Sequence, residues 1–592
     1  MRRPPSGGLG SVLLAASLAL VAGCAGDGGG AAGEQPAPAV RPPPGGPDCA
    51  QGESYASTFE AIDQVIFERR GCTQSVCHGE AASGGLDLRG DVAYANLIEV
   101  PSTETDLARI VPGDKSRSYL WLKLAAKTRP GTVEITGAAM PSGLPAISED
   151  ELEALRLWIH AGAPEGGTVE GTEELLSACL PEPEPIEIKP LAPPAPDEGV
   201  QFVLPPVPIP AGGEQEVCFA TYYDLRDVVP ARFQDPSGRF FRYAGQELRQ
   251  DPLSHHLVLN YSGVPIEDVH HPAFGEWTCA GGERDGQACE PLDLESCGRG
   301  QCRSRIEPGI ACIGYGPPSA NGDPIGFQIG GAQAPQAFQR LYDGVYAQVP
   351  MRGILFWNSH AFNLTAEPAV LHGRINFYYA TDQRFPVVPL LEVGWVFAPN
   401  NPPFTVETFC GFHVLPQGAR LFGLTSHNHK RGKRFWAEGP DGTLLYENFV
   451  YDDPNKQAFD PPLEFDSPDP AERTIRFCAT FNNGVADDGS PDPEAVTRAS
   501  RIPESARRTF GRCRPVACVA GRVGAPCDGE GDDAACDSAP GAGDGFCDAC
   551  PITGGESTEN EMFILIGQYF IAEGFPQPEG DLLPVGIASV AE

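Results

Sequence analysis

The chain has 592 residues, a formal net charge of −37, 70 Gly and 60 Pro. Its length predicts several domains, and its acidic balance argues against nucleic acid or an anionic membrane surface as a partner. Gly and Pro punctuate aromatic and β-branched runs, which predicts a mainly β chain.

Arg2 and Arg3 open the chain ahead of an apolar run at 11–21, too short to span a bilayer. Val21-Ala22-Gly23-Cys24 resembles the bacterial lipobox. That resemblance implies a signal peptide at 1–23, acylation of the Cys24 thiol, and, because Ala25 follows, an outer-membrane destination, periplasmic or surface-exposed. An ordinary secretory signal with an incidental Cys is the alternative. No other segment has 18 consecutive apolar residues, so no membrane-spanning helix is expected and the lipid is the one membrane contact. Residues 24–48, rich in Gly, Ala and Pro, read as a flexible tether.

Residues 49–179 carry helical patterns and one redox motif. Cys72 and Cys77 are followed at once by His78. The usual spacing for haem attachment has two residues between the thiols, whereas this chain has four; a Cys72–Cys77 disulfide is the alternative. The surrounding GGLDLRG, VPGDKSRSYL, AAMPSG and SEDELEALRLWIHAGAP resemble the small monohaem cytochrome c domains of environmental bacteria. The resemblance implies an all-α domain with haem c held by Cys72 and Cys77, and His78 and Met140 as axial ligands. His/Met ligation suits electron transfer. In the last helix Ser148 and Glu151 predict a capping box, and Leu152, Leu155 and Ile159, with Trp158 beside them, predict an apolar face for the haem to cover. His160 is expected to be solvated.

Residues 180–212 form a Pro-rich spacer. From 213 onward the texture turns to short alternating segments between Gly, Pro and Asp, which predicts antiparallel β-sandwiches. The length of this part predicts two, at 213–395 and 396–592. Two polar, Cys-rich stretches, 279–312 and 513–550, resemble each other and read as disulfide-stapled insertions, one in each sandwich. Nineteen Cys fit an oxidising compartment. Setting aside Cys24, Cys72 and Cys77 leaves sixteen, enough for eight disulfides whose pairing the sequence does not give.

Five imidazoles and one thioether stand out in this β part: His255 and His256 in SHHLVLNY, His360 in NSHAFN, His427 and His429 in TSHNHKRG, and Met562 in ENEMF. His427 and His429 are two apart, so in a strand both face one side. His255 and His256 are adjacent. A regular strand would point them apart, and both reach one ion only at a strand end, at a bulge or with unequal ring orientations. Thioether with imidazole is a soft set that points to copper; zinc on three His is an alternative. For Met562, packing beside Phe563 and Ile564 is the plain alternative.

In order and spacing these motifs resemble the type II copper, ascorbate-dependent monooxygenases, the group of peptidylglycine α-hydroxylating and dopamine β-monooxygenase. The resemblance covers roughly 213–580 and implies two copper ions, one for electron transfer on His255, His256 and His360, and one for oxygen activation on His427, His429 and Met562. It implies dioxygen and a small organic substrate, hydroxylation of a C–H bond, and electrons from a donor such as ascorbate. The covalent link to a haem domain across the Pro-rich spacer adds the expectation that electrons, from ascorbate or a periplasmic redox protein, pass through that domain to the copper at His255, His256 and His360. Two departures stand out. Peptide-amidating members carry an Arg two residues before the first His of the His-x-His pair, where this chain has Thr425, which argues against a peptide C-terminus as substrate. They also carry a Cys after the ligand Met, where this chain has Phe563, so Cys478 needs another partner, with Cys410 a candidate. A non-catalytic, lipid-anchored electron-transfer or copper-holding surface protein is the alternative function.

Overall fold

The computed structural model describes residues 54–577 apart from 134, 187, 309–311, 313–314, 318–326, 393, 397–398, 487, 503–512 and 556–557. The expected signal, Cys24 and the tether lie outside the described residues. Among the described residues no helix is long and apolar enough to cross a membrane.

Helices occupy the N-terminal part: α1 (Thr58–Ile62), which continues as a π-turn over Asp63–Glu68, then α2 (Ala93–Leu97), α3 (Tyr119–Thr128), α4 (Glu149–His160) and α5 (Thr172–Leu176). α4 starts at the capping box read from the sequence. Glu151 N donates to Ser148 Oγ (3.1 Å) and Ser148 N donates to the Glu151 carboxylate (2.8 Å), which satisfies two amides that a helix start leaves without intrahelical partners. Leu152, Leu155, Trp158 and Ile159 do form the inner face of α4, but protein already fills it. All four are at most 1 % exposed, α1, α3 and α5 pack on the helix, and Phe59 stacks on Trp158 at 5.4 Å. The expectation that haem covers this face is therefore corrected.

The rest of the chain is mainly β, in several antiparallel sheets. One sheet orders the strands Gly199–Val203, Gly373–Tyr379, Phe240–Gln250, Val345–Pro350 and Phe385–Pro386, with Gln336–Arg340 also paired to Phe240–Gln250. A second orders Glu307–Pro308, Gly213–Asp224, Arg352–Asn363, Ser254–Tyr261 and Phe327–Ala332. Alternate residues of both meet in one core, Phe219, Leu257, Leu259 and Trp357 from one side, Phe241, Leu248, Ile375 and Phe377 from the other. Each such large side chain contributes about 1.5–3 kcal/mol by leaving water. The opposite face of the second sheet, at Cys218, Ala220, Ile354 and Phe356, is covered by Phe274, Trp277 and Tyr315.

Two further four-stranded sheets follow: Val388–Glu392, Phe563–Ile571, Ala419–Asn428 and Gln457–Phe465 in one, and Val406–Val414, Thr474–Asn482, Gly432–Glu438 and Leu444–Asn448 in the other. Their core holds Leu421, Phe435, Phe477, Phe481, Phe563 and Leu565. Phe422 and Phe570 reach into the first core, and Tyr342 stacks on Phe570 at 6.1 Å, so the two β parts share a packed seam.

The Pro-rich stretch at 180–212 does not run free over its length. Gly199–Val203 and Val207–Ile209 are strands, with Val200, Phe202, Val207 and Ile209 buried. Pro208 is the middle residue of Val207–Ile209 and aligns with Val370; this strand belongs to a two-stranded sheet, where a proline N can face away from the partner.

Seven disulfides join described residues. Cys410 and Cys478 are cross-strand partners with Cα atoms 4.1 Å apart. In each Cys-rich stretch four successive cysteines, from Cys279 in one and from Cys518 in the other, close in the same way, first to third and second to fourth. The pairs are Cys279–Cys297 and Cys289–Cys302 in one, and Cys518–Cys536 and Cys527–Cys547 in the other. Each staples a two-stranded ribbon. Cys513–Cys550 closes the second from outside. Cys312 departs from the expected local pattern by pairing with Cys218 in the Gly213–Asp224 strand.

Candidate metal centres

His256 lies opposite His360 in the antiparallel pair of Ser254–Tyr261 with Arg352–Asn363, and the next aligned pair is Ser254 with Ala361. His255 is thus the extra residue of a β-bulge. A bulge leaves one residue unpaired and turns it out of the pleat, which resolves the problem of two adjacent imidazoles. The rings of His255, His256 and His360 lie 5.2–5.5 Å apart, centre to centre. One ring nitrogen from each falls within 4.8 Å of the others. With metal–nitrogen bonds of about 2 Å, nitrogens on one ion lie at most about 4 Å apart, so the rings need to close by no more than about an ångström.

The surroundings favour the ligating, neutral form of His255 and His256. Burial first, and then the neighbouring imidazoles, hold His255 well below the ordinary imidazole value, and burial with His360 pushes His256 down to about 3. His256 Nε2 is 2.9 Å from Asn358 Oδ1, and Asn358 Nδ2 donates to Glu216 Oε1 at 3.0 Å. This chain sets the His256 proton on Nε2 and leaves Nδ1 for a ligand, the outer-shell support that metal-binding histidines use. His255 Nε2 is buried without a hydrogen-bond partner. A buried polar atom of that kind calls for an explanation, and a metal bond is one that fits the donor set.

The second group forms at the end of Ala419–Asn428. His427 and His429 have ring centres 5.1 Å apart. The neighbouring strand pairs Ile564 with His427 and Phe563 with Asn428, so His429 and Met562 each lie one residue past the last aligned pair, at the same end of the two strands. His429 Nδ1 lies 3.1 Å from the Asn560 carbonyl. A carbonyl only accepts, so Nδ1 carries the proton. The Gln333 amide sits 2.6 Å from His427 Nδ1. Burial, then His429, holds His427 well below the ordinary value.

Glu561 organises this group. Its carboxylate accepts from the backbone N–H of His429, from Met562 N at 3.1 Å and from Arg431 N at 3.1 Å. It thereby clamps the His-x-His turn to the Met strand. Burial pushes the Glu561 carboxyl up to about 8 against the pull of those donors. The turn itself demands Gly432, because a Cβ there would lie 1.6 Å from Asn428 Nδ2. Thr425 donates its hydroxyl to the Asn455 carbonyl at 2.8 Å and so presents no cation near the pair.

The two groups are neighbours. A proton on His427 or His429 disfavours one on His255, and His256 and His360 act likewise on His427.

In the helical part Cys72 and Cys77 carry free thiols, not the disulfide considered above. Burial and the nearby Cys77 push the Cys72 thiol up to about 11. His78 Nδ1 lies 3.0 Å from the Ser83 carbonyl, so Nε2 is left for a ligand. Gly79 is needed here, because a Cβ would meet the Thr73 carbonyl at 2.2 Å. Met140 and Cys72 both border the same helical core. Two free thiols, an oriented imidazole and a half-buried thioether fit haem c, lying elsewhere than on the filled face of α4.

Sequence reasoning missed Asn358 and Glu561, although both stand inside quoted motifs, NSHAFN and ENEMF. A buried polar residue beside a ligand is the signal that finds them. The cysteines at 279, 289 and 297, and at 518, 527 and 536, also cluster, but all are consumed in disulfides. No protein-family model matches the chain, and a search of curated proteins finds no match.

Proposed function

We propose that the chain is a copper-dependent monooxygenase that hydroxylates a C–H bond of a small organic molecule with dioxygen. Its electrons pass through a c-type haem on the helical part, and Cys24 anchors it by lipid in a bacterial cell envelope. The observation that carries the reading is the bulge that turns His255 and His256 toward one ion-sized space with His360, beside a second imidazole pair whose backbone shares the Glu561 carboxylate with that of Met562. On this reading 49–179 is a small all-α cytochrome c-like domain, and 213–395 and 396–592 are the two β-sandwiches of the copper monooxygenases.

Bound copper would supply oxygen activation and hydrogen abstraction, and bound haem would supply electrons drawn from ascorbate or a periplasmic redox protein. The chain's own residues orient and shield. Asn358 and the Asn560 carbonyl fix ring tautomers, and Glu561 holds the His429 turn against the Met562 strand. Burial keeps the imidazoles of His255, His256 and His427 neutral. The thioether of Met562 adds a weak, soft donor suited to cuprous copper.

Thr425 favours a second reading, a copper-holding electron-transfer protein without turnover, because no cation is offered there to a substrate carboxylate. Elemental and haem analysis of the full chain, followed by oxygen uptake with candidate substrates and ascorbate, separates the readings. The proposal expects one haem, two copper ions and substrate-dependent oxygen uptake. Both metals without uptake supports the second reading, and a chain that takes up no copper sinks both.

A further inference from the structure

One loop touches both the helical part and the His255 group. Its base is pinned four times. Asn448 Oδ1 accepts from Asn455 N at 3.1 Å and Asn448 Nδ2 donates to the Val450 carbonyl at 2.8 Å, while the Asn455 carbonyl accepts from Thr425 Oγ1 at 2.8 Å and from Tyr446 OH at 3.0 Å. On one flank the Tyr451 ring lies 6.2 Å from that of His255. On the other, Asp453 Oδ1 pairs with Lys115 Nζ at 3.1 Å and Asp452 Oδ2 with Arg156 Nη2 at 3.3 Å. Lys115 and Arg156 are 1 % and 3 % exposed, and paired charges this deep are far less screened than surface pairs.

Arg156 belongs to α4, and the start of that helix reaches the thiol motif. Arg70, two residues before Cys72, pairs with Glu151 at 2.7 Å. α4 therefore links the Cys72 loop, at Glu151, to the Asp453 loop, at Arg156, five residues or about 7.5 Å along the helix at 1.5 Å per residue.

We propose that α4 and the Tyr451–Asp453 loop form the fixed electron bridge from the haem site to the His255, His256 and His360 site. One electron leaves ferrous haem, which becomes ferric, and one cupric ion at the three imidazoles becomes cuprous; no bond or proton is transferred. The bridge rests on the proposed function, which it extends by naming the contact. The alternative route, collision of a mobile haem part with the copper part, has no need of these residues.

The test uses the full chain loaded with haem and copper, with the haem photoreduced in a flash and its reoxidation followed by absorbance. Tyr451→Leu and Asp452→Asn are chosen because both residues are partly exposed and their loss spares the core. Each is expected to slow reoxidation by about tenfold or more, equivalent to about 1.4 kcal/mol of barrier, with haem spectrum and copper content unchanged. Tyr451→Phe, which keeps the ring, is expected to retain the wild-type rate. Wild-type rates in Tyr451→Leu and Asp452→Asn, or a Phe variant as slow as the Leu variant, overturn the bridge. If reoxidation of the wild-type haem does not depend on copper at all, the proposed function fails first, which is a distinguishable result.

Discussion

His256 stands directly across from His360 on the neighbouring strand, and the bulged His255 completes the triangle from the same side. If this triangle holds one copper ion, His255→Ala lowers the copper content from two ions per chain to one and leaves the haem in place. Elemental analysis of the purified variant checks it; two ions retained would show that the triangle is not a copper site.

Glu561→Gln tests the clamp. Gln keeps the size of the side chain but replaces one accepting oxygen by an amine that faces a backbone donor. Leaving a buried donor unpaired costs about 1–3 kcal/mol, so thermal unfolding shifts downward by that amount. Because Glu561 binds both His429 and Met562 backbones, the variant is expected to lose copper from the second group while the His255 group stays loaded. Equal loss from both groups would contradict a local clamp.

Acid should loosen the contact between α4 and the 449–455 loop. Burial opposes ionisation of Asp453, but Lys115, His160 and Arg156 together outweigh it and hold the carboxyl below the ordinary range. A carboxylate with a lowered value in the fold contributes stability that is complete above its unfolded value, about pH 4, and is lost as pH falls through the folded value. The protection factors of α4 amides, exchange corrected for its intrinsic pH dependence, should therefore fall on going from pH 5 to about pH 3 in the wild type, and change less in Asp453→Asn, which lacks the titrating group. An identical acid response in the two proteins would exclude Asp453 as its source.

Removing the cross-strand disulfide by Cys410→Ser with Cys478→Ser should cost about 2–4 kcal/mol. The strand pair it joins lies in the second β part, so denaturant unfolding followed by aromatic fluorescence should shift while haem absorbance stays native up to that transition. A shift of a few tenths of a kcal/mol would mean that the ladder alone holds the two strands.

Much of the local structure was legible. The Ser148/Glu151 box, the inner face of α4, the paired faces of His427 and His429, and the need for a bulge or strand end at His255 all follow from periodicities that act over a few residues. What escaped depends on partners far away in the chain. His160 was expected to meet water. In the fold its Nδ1 is buried and lacks a hydrogen-bond partner, and burial first, with Asp453 opposing it, lowers its pKa. Asp453 lies almost three hundred residues on, and no spacing rule connects them. The α4 face was legible as apolar, but whether protein or a prosthetic group covers it depends on α1, α3 and α5 arriving together. Cys312 looked like part of a local staple because sequence proximity favours short loops; its real partner, Cys218, is set by sheet packing.

The two Cys-rich ribbons, knotted by the same crossing pattern, have their own consequence. Each is closed by two disulfides of its own, so the loops between those cysteines can change length without loosening the staples.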